Sequence, residues 1–230
     1  MKLASWAISS AGRRSENQDA IILPVVGLAR ESRIEASSVD LSDRGVIAAI
    51  ADGVGGRPGG RWAAETAVKM LTVHCDISGG ENELRRAIAY ASQEIASRNE
   101  RGAAPATTIA GMLATRHELL LFHVGDSRIY SITDSDVILL TADHRSRTSA
   151  RSITRFLGSQ AHAVPDIMRI NPPTSARFLI ATDGLYAFVR KSDLSLFRDL
   201  TPEAALATLV ETALEGGSDD NLSALYVEIR

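Results

Sequence analysis

The sequence predicts a layered α+β domain in which helices cover antiparallel sheets. Three observations point there. Two long helical patterns lie together between residues 61 and 99, short apolar runs separated by turn residues fill residues 107–143, and one further helix lies between two late strands. Hydrophobic residues at 45 % supply a large core for a chain of 230, and only 5 % aromatics make that core aliphatic. One domain over residues 1–230 is expected, with no internal repeat and no linker.

Taken in order, "LASWAIS" alternates as a strand does, whereas residues 24–45 are polar and irregular and read as a hairpin excursion or a long loop. "GVIAAIAD" (45–52) is a short apolar run that stops at an acid, as a buried strand would. "RWAAETAVKMLTVH" (61–74) sets Trp62, Ala63, Thr66, Ala67, Met70, Leu71 and His74 at helical spacing. "ENELRRAIAYASQEIASRN" (81–99) does the same with Leu84, Ile88, Ala91, Ile95 and Ala96. "TTIAGMLAT", "ELLLFHVGD", "SRIYSIT" and "DVILLTAD" then read as a meander, and "ARFLIATDGLYAF" (176–188) as a strand ending at Asp-Gly. "TPEAALATLVETALEG" (201–216) is the clearest helix, with Thr201 as N-cap, Pro202 at the first position, Glu203 in the first turn and glycine at the end. "NLSALYVEI" (221–229) closes as a strand.

Several function classes drop out. A net charge of −3 is not the basic footprint of a nucleic-acid binder. A single Cys75 makes neither a disulfide nor a zinc site, and its place at the end of an apolar helical pattern marks a core thiol. No stretch approaches the ~18 apolar residues of a membrane helix, and the N-terminus lacks a secretory apolar run, so a cytoplasmic location is expected.

The acidic residues carry the chemistry. Asp52, Asp126 and Asp183 each end an apolar run, Asp220 precedes the last strand, and Asp19 follows the first. One aspartate at a strand tip is ordinarily a turn former. Five in one context predict strand tips converging at one end of a sheet. Carboxylates clustered without cysteine select hard cations, Mn²⁺ or Mg²⁺, and a pair of such ions serves displacement at phosphorus. Arg14, just upstream of Asp19, is placed to hold a phosphate bidentately. The stretch "ADGVGGRPGG" (51–60) is open to three readings by itself: a phosphate cradle, a metal-binding turn or a plain hairpin. It has neither the lysine of a P-loop nor the spacing of the dinucleotide fingerprint.

In order along residues 12–229, "RRSENQDA", "ADGVGG", "ATTIAGML", "FHVGDSRIY", "LTADH", "ITRFLG", "LIATDGLY" and "GSDDNLSALYVEI" resemble the motifs of metal-dependent PP2C-type (PPM) serine/threonine protein phosphatases. The resemblance implies a four-layer αββα sandwich and hydrolysis of phosphoserine and phosphothreonine with two Mn²⁺ or Mg²⁺ ions, a third being optional. It implies that Asp52 bridges the two ions with the Gly53 carbonyl as a further ligand, and that Asp183 and Asp220 complete the ligand shell of the second ion. Asp19 would act through water, Asp126 with Asp183 would hold the third ion, and Arg14 would bind the substrate phosphate. Asn221 and Thr107 match motif positions of supporting rather than catalytic character. The opening glycines then serve to turn the chain so that Asp52 and Gly53 face the ions.

The chain departs from the family pattern at Gln18, where an acid often precedes Asp19, and at Arg57 and Val54, where relatives place histidines. The segment between "DHR" (143–145) and "ITRFLG" (153–158) is short, which implies a reduced flap and a more open site. His123 and His144 are expected to be structural, while His74, His117 and His162 have no ligand-spaced neighbours. Arg57 and Arg61 are either solvated surface or a grip for an acidic or phosphorylated peptide, and Trp62 is expected in the core. The expected partner is a phosphorylated Ser/Thr protein, opposing a bacterial Ser/Thr kinase such as that of a type VI secretion system. No nucleic acid, no membrane and a monomeric state are expected. A pseudophosphatase that binds a kinase or another partner without catalysis is the alternative, motivated by Gln18 and the missing histidine.

Overall fold

A computed structural model describes residues 1–29, 31–54, 59–98, 105–146, 148, 152–158, 163–171 and 174–230. Two six-stranded antiparallel sheets stack face to face. One takes the order β4 (Glu35–Asp40), β1 (Lys2–Ser10), β12 (Leu222–Ile229), β11 (Ala176–Ala181), β8 (Arg128–Ile132), β9 (Val137–Leu139). The other runs β10 (Asp166–Ile170), β7 (Leu119–Val124), β6 (Ile109–Ala114), β5 (Val46–Asp52), β2 (Asp19–Leu23), β3 (Gly27–Leu28). Helices α1 (Gly60–His74) and α2 (Gly80–Ser97) cover the second sheet, and α5 (Pro202–Glu215), with short α3 (Asp183–Tyr186) and α4 (Lys191–Leu194), covers the first. The expected αββα layering is therefore present.

Three apolar layers hold the sandwich. In β5, Ala48 and Ile50 face the other sheet while Ile47, Ala49 and Ala51 face α1 and α2. In β12, Leu225, Val227 and Ile229 enter the inter-sheet layer while Leu222, Ala224 and Tyr226 meet α5. Strands buried on both faces read as continuous apolar runs, which is why they stand out in the sequence. Thr201 caps α5 as expected, its hydroxyl accepting from the Ala204 N–H at 3.3 Å. Cys75 is buried, and desolvation pushes its thiol up to about 11.

Several expectations change. Of the two readings of residues 24–45 the hairpin holds, since β3 returns antiparallel to β2, and the edge strand β4 replaces a long loop after it. "DVILLTAD" yields only the three residues of β9, and β10 was not foreseen. These strands lie at sheet edges, where exposed positions dilute the apolar pattern. On α1 the buried set includes Ala64 and Val68, while Trp62 and Met70 are only partly buried and His74 is exposed. On α2 the buried face gains Ala87 and Ser92, and the helix ends at Ser97.

Leu225 lies fully buried between the sheets. Leu225→Ala should lower the urea-unfolding free energy by about 3 kcal/mol through lost burial and a residual cavity. Leu139→Ala, on the half-exposed edge strand β9, should change it by less than about 1 kcal/mol, and equal losses at the two sites would refute this layering.

Candidate active site

The alternation that builds the inter-sheet layer also delivers the carboxylates. Asp52, two residues beyond Ile50, continues the inward face of β5 at its end, and Asp19 does so at the start of β2, two residues before Ile21. The strand register sets Asp19 directly opposite Asp52, an arrangement that repels when both are ionised. From the other sheet, Asp183 opens α3 one residue past Thr182, and Asp220 precedes β12. Asp183 is thus a helix-starting residue rather than the last residue of the strand. Asp126 occupies the β7–β8 turn after Gly125, whose φ of 114° glycine adopts readily. The charges of Asp19, Asp183, Asp126 and Asp220 all act on Asp52. The structure therefore gathers all five aspartates at one end of the sandwich. Asp19 and Asp126 are buried as its floor, whereas the Asp183 and Asp220 side chains, 36 % and 41 % exposed, form its mouth.

The backbone around Asp52 is fixed from both sides. Its N–H donates to Thr108 Oγ1 at 3.1 Å, and its carbonyl accepts from the Thr108 N–H and the Thr107 hydroxyl, each at 2.8 Å. The Gly53 N–H donates to the Gln18 carbonyl at 3.1 Å. A Cβ on Gly53 would lie 2.6 Å from the Gly60 carbonyl and 2.8 Å from the Gln18 oxygen, so close approach of three chain segments demands glycine here. Asn221 laces the loop of Arg14 to Asp220: its Oδ1 accepts from the Gln18 N–H at 2.8 Å, and its Nδ2 donates to the Ala11 and Glu16 carbonyls at 3.1 and 2.9 Å. Arg14, half exposed at the mouth, meets Asp220 Oδ2 at 3.2 Å. Gln18 turns its amide to Glu16 at 3.4 Å.

Desolvation and mutual repulsion dominate the electrostatics. Burial pushes Asp52 well above the ordinary carboxyl range, and the four neighbouring aspartates push it further. Asp19 rises to about 7 and Asp183 to about 6, burial leading in both. Asp126 also rises through burial, against the opposing pull of Arg145. Asp19 Oδ2 accepts from Thr182 Oγ1 at 3.2 Å, with Ser223 also bonded to the carboxylate, yet the buried Asp19 Oδ1 has no hydrogen-bond partner among the described residues. A buried carboxylate oxygen left unsatisfied is costly. An all-oxygen donor set with such an atom fits hard divalent cations.

Sequence reasoning missed Arg145, Tyr186, Thr182 and Ser223. Arg145 Nε donates to Asp126 Oδ2 at 2.8 Å, and its Nη2 reaches Asp183 Oδ2 at 3.1 Å and the Tyr186 hydroxyl at 3.2 Å. Tyr186 in turn donates to the Asp126 carbonyl at 2.9 Å, while the Arg128 guanidinium lies 4.0 Å from its ring centroid and pairs with Asp143 at 2.9 Å. The available signal was a cation next to the acidic turn, in "DHRSR". His123 and His144 stack at 4.5 Å near Asp166. His144 Nδ1 accepts from the Gly125 N–H at 3.0 Å, so its protonated Nε2 donates to Asp166 at 3.0 Å and no lone pair is left for an ion. Its effect is to brace the turn that carries Asp126.

Arg61 pairs with Glu16 at 3.1 Å and Glu31 at 3.7 Å, and Trp62 lies under the Arg98 guanidinium at 4.4 Å. His74 packs on Tyr90, and His117 meets Asp43. Val54 donates its N–H to the Ala106 carbonyl at 2.9 Å. Arg57 and His162 lie outside the described residues.

The sign of the pH dependence follows for the metal-free protein. Asp19 titrates at 3.8 in its reference state and at about 7 when folded, so the fold holds an extra proton in between. That stabilisation is complete below about pH 4 and is lost as pH rises through about 7. In EDTA, Asp19→Asn should therefore raise the urea midpoint relative to wild type at about pH 7.5, with the gap closing near pH 4. A gap that widens toward acid would refute the clustering.

A sequence profile described as protein phosphatase 2C matches residues 29–224. The serine/threonine protein phosphatase PstP of Mycobacterium tuberculosis is 28 % identical over 208 residues, spanning 80 % of this chain. This chain covers 40 % of the length of that relative. Two solved structures share the fold. The catalytic domain of PstP in complex with two manganese ions superposes with a TM-score of 0.79 at 23 % identity over all of both chains. PppA, a key regulatory component of T6SS in Pseudomonas aeruginosa, gives 0.81 at 22 % identity, covering 98 % of this chain and 96 % of its own. By the profile match over most of its length, the chain belongs to the protein phosphatase 2C family.

Proposed function

We propose that residues 1–230 form a single phosphatase domain that hydrolyses phosphoserine and phosphothreonine in proteins with Mn²⁺ or Mg²⁺. The observation that carries this reading is the convergence of five aspartates, one with an unsatisfied buried oxygen, beside the half-exposed Arg14. Asp52 and the Gly53 carbonyl, with Asp183 and Asp220, would hold two ions, and Asp19 would reach them through water. When bound, such ions polarise phosphoryl oxygens and acidify a water.

The chain's own residues do the rest. Among the described residues Arg14 meets one carboxylate oxygen, at 3.2 Å, and it is about half exposed, so its fork can turn toward a phosphate dianion at the mouth. Thr107 and Thr108 hold the Asp52 backbone in place, which keeps the donor oxygens preorganised. The segment that follows the site is short in sequence, and its two ends meet: Arg145 pairs with Ile153, and the Ser146 N–H donates to the Ser152 carbonyl at 2.8 Å. A short segment there supports an open mouth able to admit a protein-borne phosphoresidue.

The names of the bacterial relatives, serine/threonine phosphatases, support a phosphorylated Ser/Thr protein as substrate, and the proposal sets a bacterial Ser/Thr kinase or its target opposite the enzyme. The likeness to PppA supports a T6SS setting in fold alone. A cytoplasmic location and a monomeric state belong to the proposal; no helix among the described residues is long and apolar enough to cross a membrane.

Hydrolysis of p-nitrophenyl phosphate and of a phosphothreonine peptide should require Mn²⁺ or Mg²⁺ and stop in EDTA. Turnover without metal, or none at any metal concentration, would overturn the reading, the second outcome favouring a binding-only role. Asp183→Asn should abolish turnover while leaving the melting temperature unchanged or raised. Arg14→Ala should lower kcat/KM for the peptide about 10- to 100-fold, the value of a charge-assisted bidentate contact.

A further inference from the structure

We propose that Arg145 is a built-in cation that fills the space between Asp126 and Asp183, so that this carboxylate centre takes two divalent ions and excludes a third. The inference rests on the metal-centre reading above and revises the expectation that Asp126 and Asp183 share an optional third ion.

The guanidinium lies between these two aspartates, 2.8 Å from Asp126 Oδ2 and 3.1 Å from Asp183 Oδ2. A Mn²⁺ or Mg²⁺ ion bridging the pair would need oxygen distances of about 2.0–2.3 Å, and would compete for the same oxygens that the guanidinium holds. Ion and guanidinium cannot share that space. The displaced arginine would also give up the Tyr186 hydroxyl at 3.2 Å, which is itself held by donation to the Asp126 carbonyl at 2.9 Å. Arg145 leaves the backbone at its β-bridge to Ile153 and is 27 % exposed, over an Asp126 side chain exposed by only 4 %. Leaving the buried Asp126 carboxylate without its partner is unfavourable.

Arg14 gives the contrast within the same site. Its contact with Asp220 is single, at 3.2 Å, and both side chains are 40–50 % exposed, so an incoming phosphate or ion separates them readily. One arginine is mobile by construction and the other is fixed. Arginine suits the fixed position because its planar fork addresses both carboxylates at once and stays charged at any working pH. Both aspartates give the guanidinium their Oδ2, and the Asp126 side chain lies buried beneath it.

Equilibrium dialysis against Mn²⁺ up to millimolar concentration, with bound metal counted per chain, tests this without any turnover assay. Wild type should bind about two ions, Arg145→Ser about three, and Arg145→Lys, which keeps the charge, about two. Arg145→Ser combined with Asp126→Asn should return to about two, and circular dichroism should show all variants folded. Three ions on the wild type, or the same number on wild type and Arg145→Ser, overturns the inference while leaving the metal centre standing. No bound Mn²⁺ on any of the proteins overturns the metal-centre reading and this inference with it.

Discussion

Five carboxylates held at one desolvated end of a β-sandwich repel one another, and the rest of the molecule is arranged around that repulsion. Asp19 and Asp52 face each other across a strand pair whose register the surrounding apolar residues dictate, so neither can move away without shifting Ile21 or Ile50 out of the inter-sheet layer. The three apolar layers supply the stability that lets such a cluster persist. A cluster of this kind calls for cations. The protein supplies some itself, and the unsatisfied Asp19 oxygen marks where further positive charge is wanted.

The two arginines that touch the cluster divide the work by exposure. At the floor, Arg145 neutralises Asp126 and one oxygen of Asp183, with Tyr186 and the braced Gly125 turn holding the geometry. At the mouth, Arg14 meets Asp220 through one weak, solvated contact and remains available to an anion. The gradient from buried to exposed thus separates a charge bound into the fold from a charge left open at the mouth. His144 links this arrangement to the edge strand β10 through Asp166, which explains why a histidine next to the site is not a ligand.

Much of the fold was legible because the central strands are buried on both faces and the long helices have periodic apolar patterns. β5, β7, β11 and β12 are apolar runs, and α5 carries its Thr201 cap in sequence. What escaped lay at the edges: β4 and β10 alternate with solvent on one side, and their residues carry little burial signal. The same limit applied to the site. Asp52, Asp126 and Asp183 announced themselves at the ends of apolar runs and Asp19 and Asp220 beside strands, whereas Thr182 and Ser223 look like ordinary strand residues until the fold brings them to Asp19.

The sequence by itself determined the family resemblance and the aspartates at the tips of apolar runs. These are local properties, set by neighbours along the chain. Only the tertiary structure decided that Arg145 reaches Asp126 and Asp183, 19 and 38 residues away, and that Asp19 keeps one oxygen without a partner. Those facts depend on how two sheets and a hairpin stack in space, and no periodicity along the chain encodes a distance across that stack.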